Sequence, residues 1–264
     1  MDNYIIQRLL ADRTTGKNII WASGDTPQAE ITVDDVSGII PRCQKPKEIQ
    51  KGRTKSKAEV YTPVWVVNKM VNSVDREWFG RPNAFNVPSK NDKSWTPTYR
   101  VDFGGKDWRD YVMSTRLEIT CGEAPYLTTP YDTETGEPID IKQRVGMYDR
   151  KLRVVSENCD TPLKWYDWAV KATEATFGYE FQGDSLWLAR CNLLYAFTHA
   201  YQVKWGVMPS PEKIDHIAGI LSWNIWQMDG LKDCVPLTDT PALILDRQAH
   251  RVVEFRSLKG ASKE

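Results

Sequence analysis

Acids that close short apolar runs are the residues of this chain best suited to do chemistry. In Arg116-Leu117-Glu118-Ile119-Thr120-Cys121-Gly122-Glu123-Ala124-Pro125-Tyr126-Leu127, a short apolar strand ends on Glu118, a tight turn follows at Gly122, and small residues enter a new element. A strand that delivers a carboxylate, next to a glycine that lets the backbone approach a ligand closely, is the pattern of a nucleotide-type cofactor loop. Three further acids close runs of the same kind: Glu180 after Phe177-Gly178-Tyr179, Asp229 after Trp226-Gln227-Met228, and Asp246 after Leu243-Ile244-Leu245. Other chemistries lack their parts. There is no Gly-x-x-x-x-Gly-Lys-Ser/Thr phosphate loop, no serine elbow and no histidine dyad, and His199, His216 and His250 are isolated. The 5 cysteines are scattered with no Cys-x-x-Cys pair, which argues against a zinc site or disulfide framework and for a reducing cytoplasm.

The elements that must position these acids follow from periodicity. A helix is expected over Tyr4–Leu10. A basic run from Arg42 to Lys57 holds Arg42, Lys45, Lys47, Lys51, Arg53, Lys55 and Lys57 against the single acid Glu48. It reads either as a solvated loop or as a phosphate-contacting arm on DNA. Thr62 suits a helix N-cap and Pro63 the first helical position, with Val66, Val67, Met70 and Val71 as the buried stripe. Residues 75–113 are rich in Trp, Pro, Asn and Gly and read as an irregular insertion with one helix near Asp107–Met113. Helices are expected around 144–158, 161–176 (opened by Thr161-Pro162), 185–201 and 211–220.

From residue 116 the order strand, helices, strand, helix, strand, strand is that of a doubly wound α/β sheet with helices on both faces. Its ligands lie at the carboxyl ends of the strands, where Glu118, Glu180, Asp229 and Asp246 would share one rim. Residues 1–57 form an N-terminal extension carrying the basic arm, and 58–264 the α/β domain. A hydrophobic content of 41% and a charged content of 27% are those of an ordinary globular chain, and the net charge of +0 argues against binding nucleic acid by bulk charge alone. No apolar run is long enough for a membrane span, and Met1-Asp2-Asn3-Tyr4 is no secretory signal. The eleven tryptophans serve as packing mass, with several free to line a groove.

In four segments the chain resembles the adenine-specific DNA methyltransferases, of the modification-subunit type found in restriction systems. Glu59-Val60-Tyr61-Thr62-Pro63 before an apolar helix is similar to the family's Val-Phe-Thr-Pro segment. Leu117-Glu118-Ile119-Thr120-Cys121-Gly122-Glu123 resembles its Glu-Pro-x-x-Gly-x-Gly loop. Gly178-Tyr179-Glu180-Phe181 looks like the second strand, and Asn224-Ile225-Trp226-Gln227-Met228-Asp229-Gly230-Leu231 like the segment after the third. The resemblance implies a Rossmann-like methyltransferase sheet and S-adenosylmethionine as cofactor. It implies contacts from Tyr61, Thr62 and Pro63 at the methionine end, and from Glu118, Thr120, Gly122, Glu123 and Ala124 beneath it. Glu180 and Phe181 would hold the ribose, and Asp229 and Gly230 the adenine. DNA would be the partner, met by the basic run.

Two departures qualify what it implies. Ala124 stands where the family loop has its second glycine, and Pro125 follows. The catalytic Asn/Asp/Ser-Pro-Pro-Tyr/Phe tetrad, which takes up the flipped target base, is absent. By position its equivalent is Asp246-Arg247-Gln248-Ala249, making Asp246 the catalytic candidate without a stacking aromatic. No stretch is long enough for a target-recognition domain, which points to a second polypeptide supplying catalytic or recognition parts. Two outcomes follow: a DNA adenine methyltransferase, alone or as part of a split enzyme, or an inactive methyltransferase fold that binds cofactor, DNA or a protein.

Overall fold

Strands joined by long helical crossovers must run parallel, whereas strands four residues apart can only turn back on each other. Both situations occur in this chain, and the difference decides its architecture. The structure is a computed structural model that describes residues 1–57, 62–247 and 249–260. In chain order its elements are α1 (Asn3–Leu10), α2 (Lys47–Lys57), α3 (Val64–Phe79), β1 (Asn86–Pro88), β2 (Trp95–Pro97), α4 (Trp108–Met113) and β3 (Arg116–Glu118). Then come α5 (Met147–Asn158), α6 (Pro162–Glu174), β4 (Thr176–Glu180), α7 (Gly183–Trp205), α8 (Pro211–Asn224), β5 (Ile225–Gln227), β6 (Leu243–Asp246), β7 (Arg251–Glu254) and α9 (Phe255–Gly260).

The centre is a parallel sheet in the order β3-β4-β5, with Glu118 opposite Gly178 and Glu180 opposite Gln227. Helices α5 and α6 link its first two strands, and α7 and α8 the next two. Both crossovers step the same way across the sheet, so the common right-handedness of such units puts their helices on one face. The opposite face carries Tyr179, Trp226 and Met228, which pack against Ala242 and Ile244 of the β6–β7 segment and against Phe255. An antiparallel hairpin therefore lies where helices on a second face were expected. β6 pairs with β7 from Leu243↔Glu254 to Asp246↔Arg251 rather than joining the parallel strands. The mixed α/β character and the parallel strands agree with the sequence reading; the fourth parallel strand does not.

Local expectations were met where caps are explicit. Asp107 caps α4 by accepting from the Arg109 N–H, and the Thr161 hydroxyl caps α6 with Pro162 at its first position. α3 begins one residue later than expected, with Pro63 at the cap. Its buried stripe is Val64, Val67 and Val71 with Asn68 and Asp75, while Met70 faces solvent. The stripe turns because α3 must meet a buried cation. The Arg150 guanidinium of α5 bonds Asp75 at 2.6 Å, Asn68 at 2.9 Å and Asn72 at 2.8 Å, and Tyr111 donates to the other Asp75 oxygen.

Residues 75–113 are therefore ordered: a β1–β2 hairpin and a cluster of Trp78, Phe79, Phe85, Phe103 and Tyr111 built over that ion pair. The N-terminal segment joins the same core through Leu9, Leu10, Ile19 and Ile31. Buried Arg190 of α7 ties its end to the sheet, donating to the carbonyls of Leu9, Ala11, Ser222 and Ile225. Among the described residues no helix is long and apolar enough to cross a membrane.

Removing one partner of a buried pair leaves an uncompensated charge. Asp75→Ala is expected to cost about 3–5 kcal/mol in urea unfolding; a loss below about 1 kcal/mol, the value of a surface pair, would contradict this account.

Candidate functional site

The candidate site forms where the loop after β3 meets the end of β4. Glu180 is the last residue of β4 and is buried. Its Oε2 accepts from the Gly122 N–H at 2.8 Å and its Oε1 from the Gln182 N–H at 3.0 Å. One carboxylate thus joins the first strand's loop to the entry of α7. Gly122 has φ +55°, and a Cβ there would meet no atom within 4 Å, so its backbone stands open to approach. Gly183 is the opposite case: a Cβ would fall 2.0 Å from the Ile20 carbonyl oxygen, because the N-terminal segment lies directly on the start of α7.

Below this joint Glu118 ends β3 with its carboxylate buried. Oε1 receives a long bond of 3.4 Å from the Tyr126 N–H, and Oε2 has no partner among the described residues. Burial pushes the Glu118 carboxyl well above the usual range, opposed by backbone N–H groups of Tyr126 and Leu127 and reinforced by the Glu180 charge. Glu180 is also raised by burial, with its backbone donors pulling the other way. An orphan acceptor beside a second buried carboxyl is a site short of donors, and a cationic or hydrogen-bond-donating ligand would supply them.

The loop holds its shape at some cost. Thr120 has φ +49° and Ala124 φ +64°, both in the left-handed region that disfavours side chains. Ala124 therefore keeps a backbone conformation that a glycine would take without strain. Beyond it, Asp149 pins the chain by accepting from the Thr128 hydroxyl and the Thr129 and Gly146 N–H groups. Glu123 turns away from Gly122, accepting from the Arg42 N–H and the Tyr131 hydroxyl, while Asn192 of α7 donates to the Glu123 carbonyl. The Thr133 hydroxyl donates to the Thr62 carbonyl, which brings Thr62 and Pro63 to the same side. Glu59, Val60 and Tyr61 lie outside the described residues.

On the far side Phe181 offers its carbonyl to the Gln227 amide, and the Met228 N–H bonds the Glu180 carbonyl, so Asp229 emerges next to the joint. Asp229 Oδ1 accepts from the Leu231 and Lys232 N–H groups and organises its own turn, leaving Oδ2 without a partner among the described residues. Gly230 is demanded by packing, since a Cβ would come within 2.6 Å of the Tyr179 ring.

Asp246 is not part of this assembly. β6 runs against the parallel strands, and the next residue, Arg247, reaches Asn224 and Glu174, which precede β5 and β4. Asp246 therefore stands at the amino end of the sheet, opposite the rim that carries Glu118 and Glu180. The cause is the return from β5: bridges Asp229↔Cys234 and Cys234↔Pro241 start β6 beside the carboxyl end of β5, with no crossover helix between, so β6 runs back toward the amino end. The basic run also behaves differently at its start: Arg42 is buried and Lys45 forms an ion pair at 3.1 Å with Asp184 in the first turn of α7. Lys47 and Lys51 remain exposed. Gln182 and Asp184 escaped the sequence reading, although an acid in the turn after a strand-terminal acid was a visible signal. Among the described residues no group of three His, Cys, Asp or Glu side chains could hold a metal ion.

The chain matches no known protein family, no curated protein and no solved structure.

Because the folded Glu118 carboxyl titrates above its ordinary value of 4.5, the unfolded chain ionises first, and stability falls as pH rises from there through the folded value. Glu118→Gln lacks that loss. Its melting temperature should gain on the native chain between pH 5 and pH 8, by roughly 2–4 °C; a pH-independent gap would contradict the assignment. Thr120→Gly should stabilise the chain by about 0.5–1 kcal/mol by relieving the left-handed strain, read from denaturant midpoints.

Proposed function

We propose that this protein binds S-adenosylmethionine at the joint between the Gly122 loop and Glu180, as a DNA adenine methyltransferase-like protein with a Rossmann-type half-sheet. The observation that carries the reading is the Glu180 carboxylate bridging the Gly122 and Gln182 N–H groups at the ends of adjacent parallel strands. Each carboxylate oxygen keeps a second lone pair, enough to accept from the two hydroxyls of a ribose. Asp229 Oδ2 is available to an exocyclic amine, and the orphan Glu118 Oε2 to an ammonium group. The open backbone at Gly122 allows the close approach that such a ligand needs. When bound, the cofactor supplies an electrophilic methyl group on sulfur. The protein's part is to orient the adenosine through Glu180 and Asp229 and to keep the cation against buried carboxylates.

The position of Asp246 favours binding over methyl transfer by this chain alone. A group that takes a target adenine amine must face the methyl donor, and Asp246 lies at the other end of the strands, with Oδ1 accepting from the Ala249 N–H. The residues that would receive the base come, on this reading, from a second polypeptide, with DNA as the shared substrate and Lys47 and Lys51 as exposed phosphate contacts.

Calorimetric titration with S-adenosylmethionine tests the reading. Binding is expected, and Glu180→Ala should weaken it by about 10–100-fold, the loss of one charge-assisted pair of hydrogen bonds. No heat of binding in the native chain, or equal affinity in Glu180→Ala, would sink the site. Labelled methyl transfer to adenine-containing duplex DNA is expected to be absent for the chain alone.

A further inference from the structure

A cleft of about 820 Å³ lies away from the joint, between α5, the second half of α7, the turn at residues 140–144 and the end of β2. It is separate from the candidate cofactor site: along α7, Asp184 and Ala200 are about 24 Å apart at the rise of an α-helix. Its size is that of a small-molecule site, and such sites join apolar walls to a few placed polar groups.

The walls here are apolar because α7 presents small side chains. Ala196 and Ala200 leave the groove open between Leu152 of α5 and Val203 at the rim. The polar groups are unequal in what they have left to offer. Of the three acids that line the cleft, Glu157 bonds Arg153 and the Val101 N–H, Asp149 holds the Thr128–Gly146 turn, and Asp140 caps the Lys142 N–H. Among the cations, Arg153 is bound to Glu157 and two carbonyls, and Lys204 to the Ser156 carbonyl.

Two cations remain. Lys142 is exposed at the mouth, and its Nζ has no partner among the described residues. Arg144 is only 8% exposed. Its Nε donates to the Ile139 carbonyl and its Nη2 meets His199 Nδ1 at 2.9 Å, while the guanidinium lies over the Tyr195 ring at 5.2 Å. These contacts hold the planar group in one orientation, with Nη1 uncommitted and no carboxylate within ion-pair distance among the described residues. Burial and the neighbouring Arg144 charge both keep His199 below its usual value, so at neutral pH it accepts from the guanidinium and adds no charge of its own. The nearby Asp149 carboxyl feels the Arg144 charge but is held by the Thr128–Gly146 turn and makes no ion pair with it. A preoriented arginine with Nη1 to spare, beside a free lysine at the mouth of an apolar groove, is complementary to an oxyanion carried on an apolar body.

We propose that this cleft binds a small amphipathic organic acid, its carboxylate held by Lys142 and Arg144 and its apolar body laid along Ala196, Ala200 and Val203. The site is independent of S-adenosylmethionine binding and stands whether or not that reading does.

Fluorescence titration of the full chain with anilinonaphthalene sulfonate, an aryl anion, reads the site directly. The expected result is a single saturable site, from which dodecanoate displaces the dye while dodecylammonium and inorganic phosphate do not. Lys142→Glu, which breaks no side-chain bond, should weaken the dye by about tenfold, and Ala200→Phe should remove binding by filling the groove. The Lys142→Glu chain keeps the test decisive if Ala200→Phe fails to fold. Unchanged dye affinity in Lys142→Glu, failure of dodecanoate to displace it, or equal displacement by dodecylammonium would overturn the proposal.

Discussion

The hydrogen bond from the Gly122 N–H to the Glu180 carboxylate is the contact around which this structure is arranged. It requires a buried acid, whose desolvation is tolerated because the Gly122 and Gln182 backbone donors meet both oxygens. It also requires the loop after β3 to reach across to the next strand, which brings Thr120 and Ala124 into left-handed conformations. That loop is held from behind by Asp149 and from the side by Glu123, Tyr131 and Asn192. Elements distant in sequence thus converge on one strand end, and the orphan oxygen of Glu118 lies beside them.

The single direction of strand order accounts for most of the remaining architecture. Because β3, β4 and β5 follow one another across the sheet without reversal, the crossover helices cover only one face. The other face is covered by the β6–β7 hairpin, whose Ala242 and Ile244 bury Tyr179 and Trp226. A doubly wound sheet places its ligand crevice where strand order reverses; here the order does not reverse, and Glu118 and Glu180 close two adjacent strands, β3 and β4. The same geometry puts Asp246 at the amino end of the strands. On the proposed reading, cofactor binding and target chemistry therefore fall to different polypeptides.

Buried charge is used twice as a fastener. Arg150 with Asp75 joins α3 and α4 to α5, and Arg190 joins the N-terminal segment to α8 and β5 through four carbonyls. Both guanidiniums are buried, and each binds groups contributed by segments far apart in the chain. Arg144 differs because it lines the α5–α7 cleft with Nη1 uncommitted, and that marks the cleft as a place for a ligand rather than a joint.

The sequence by itself determined the elements whose signals are local. The Thr161 cap, the short helix after Asp107 and the apolar runs of β3 and β4 depend on neighbours within a few residues, and they appear where those signals stand, whereas α3 and α7 run on to Phe79 and Trp205, past their expected ends. Glu118, Gly122 and Glu180 were legible for the same reason, since a strand-terminal acid and a turn glycine are local patterns. The inward turn of Arg42 and Lys45 was decided by Glu123 and Asp184, far away in the chain. The order within residues 75–113 was decided by Arg150, which no periodicity in that stretch could announce. Asp246 shows the limit most clearly. An apolar run ending in an acid is the same string whether its strand joins a parallel sheet or runs back along it, and only the return through Cys234 and Pro241, with Arg247 reaching Asn224, settled which end of the sheet it occupies.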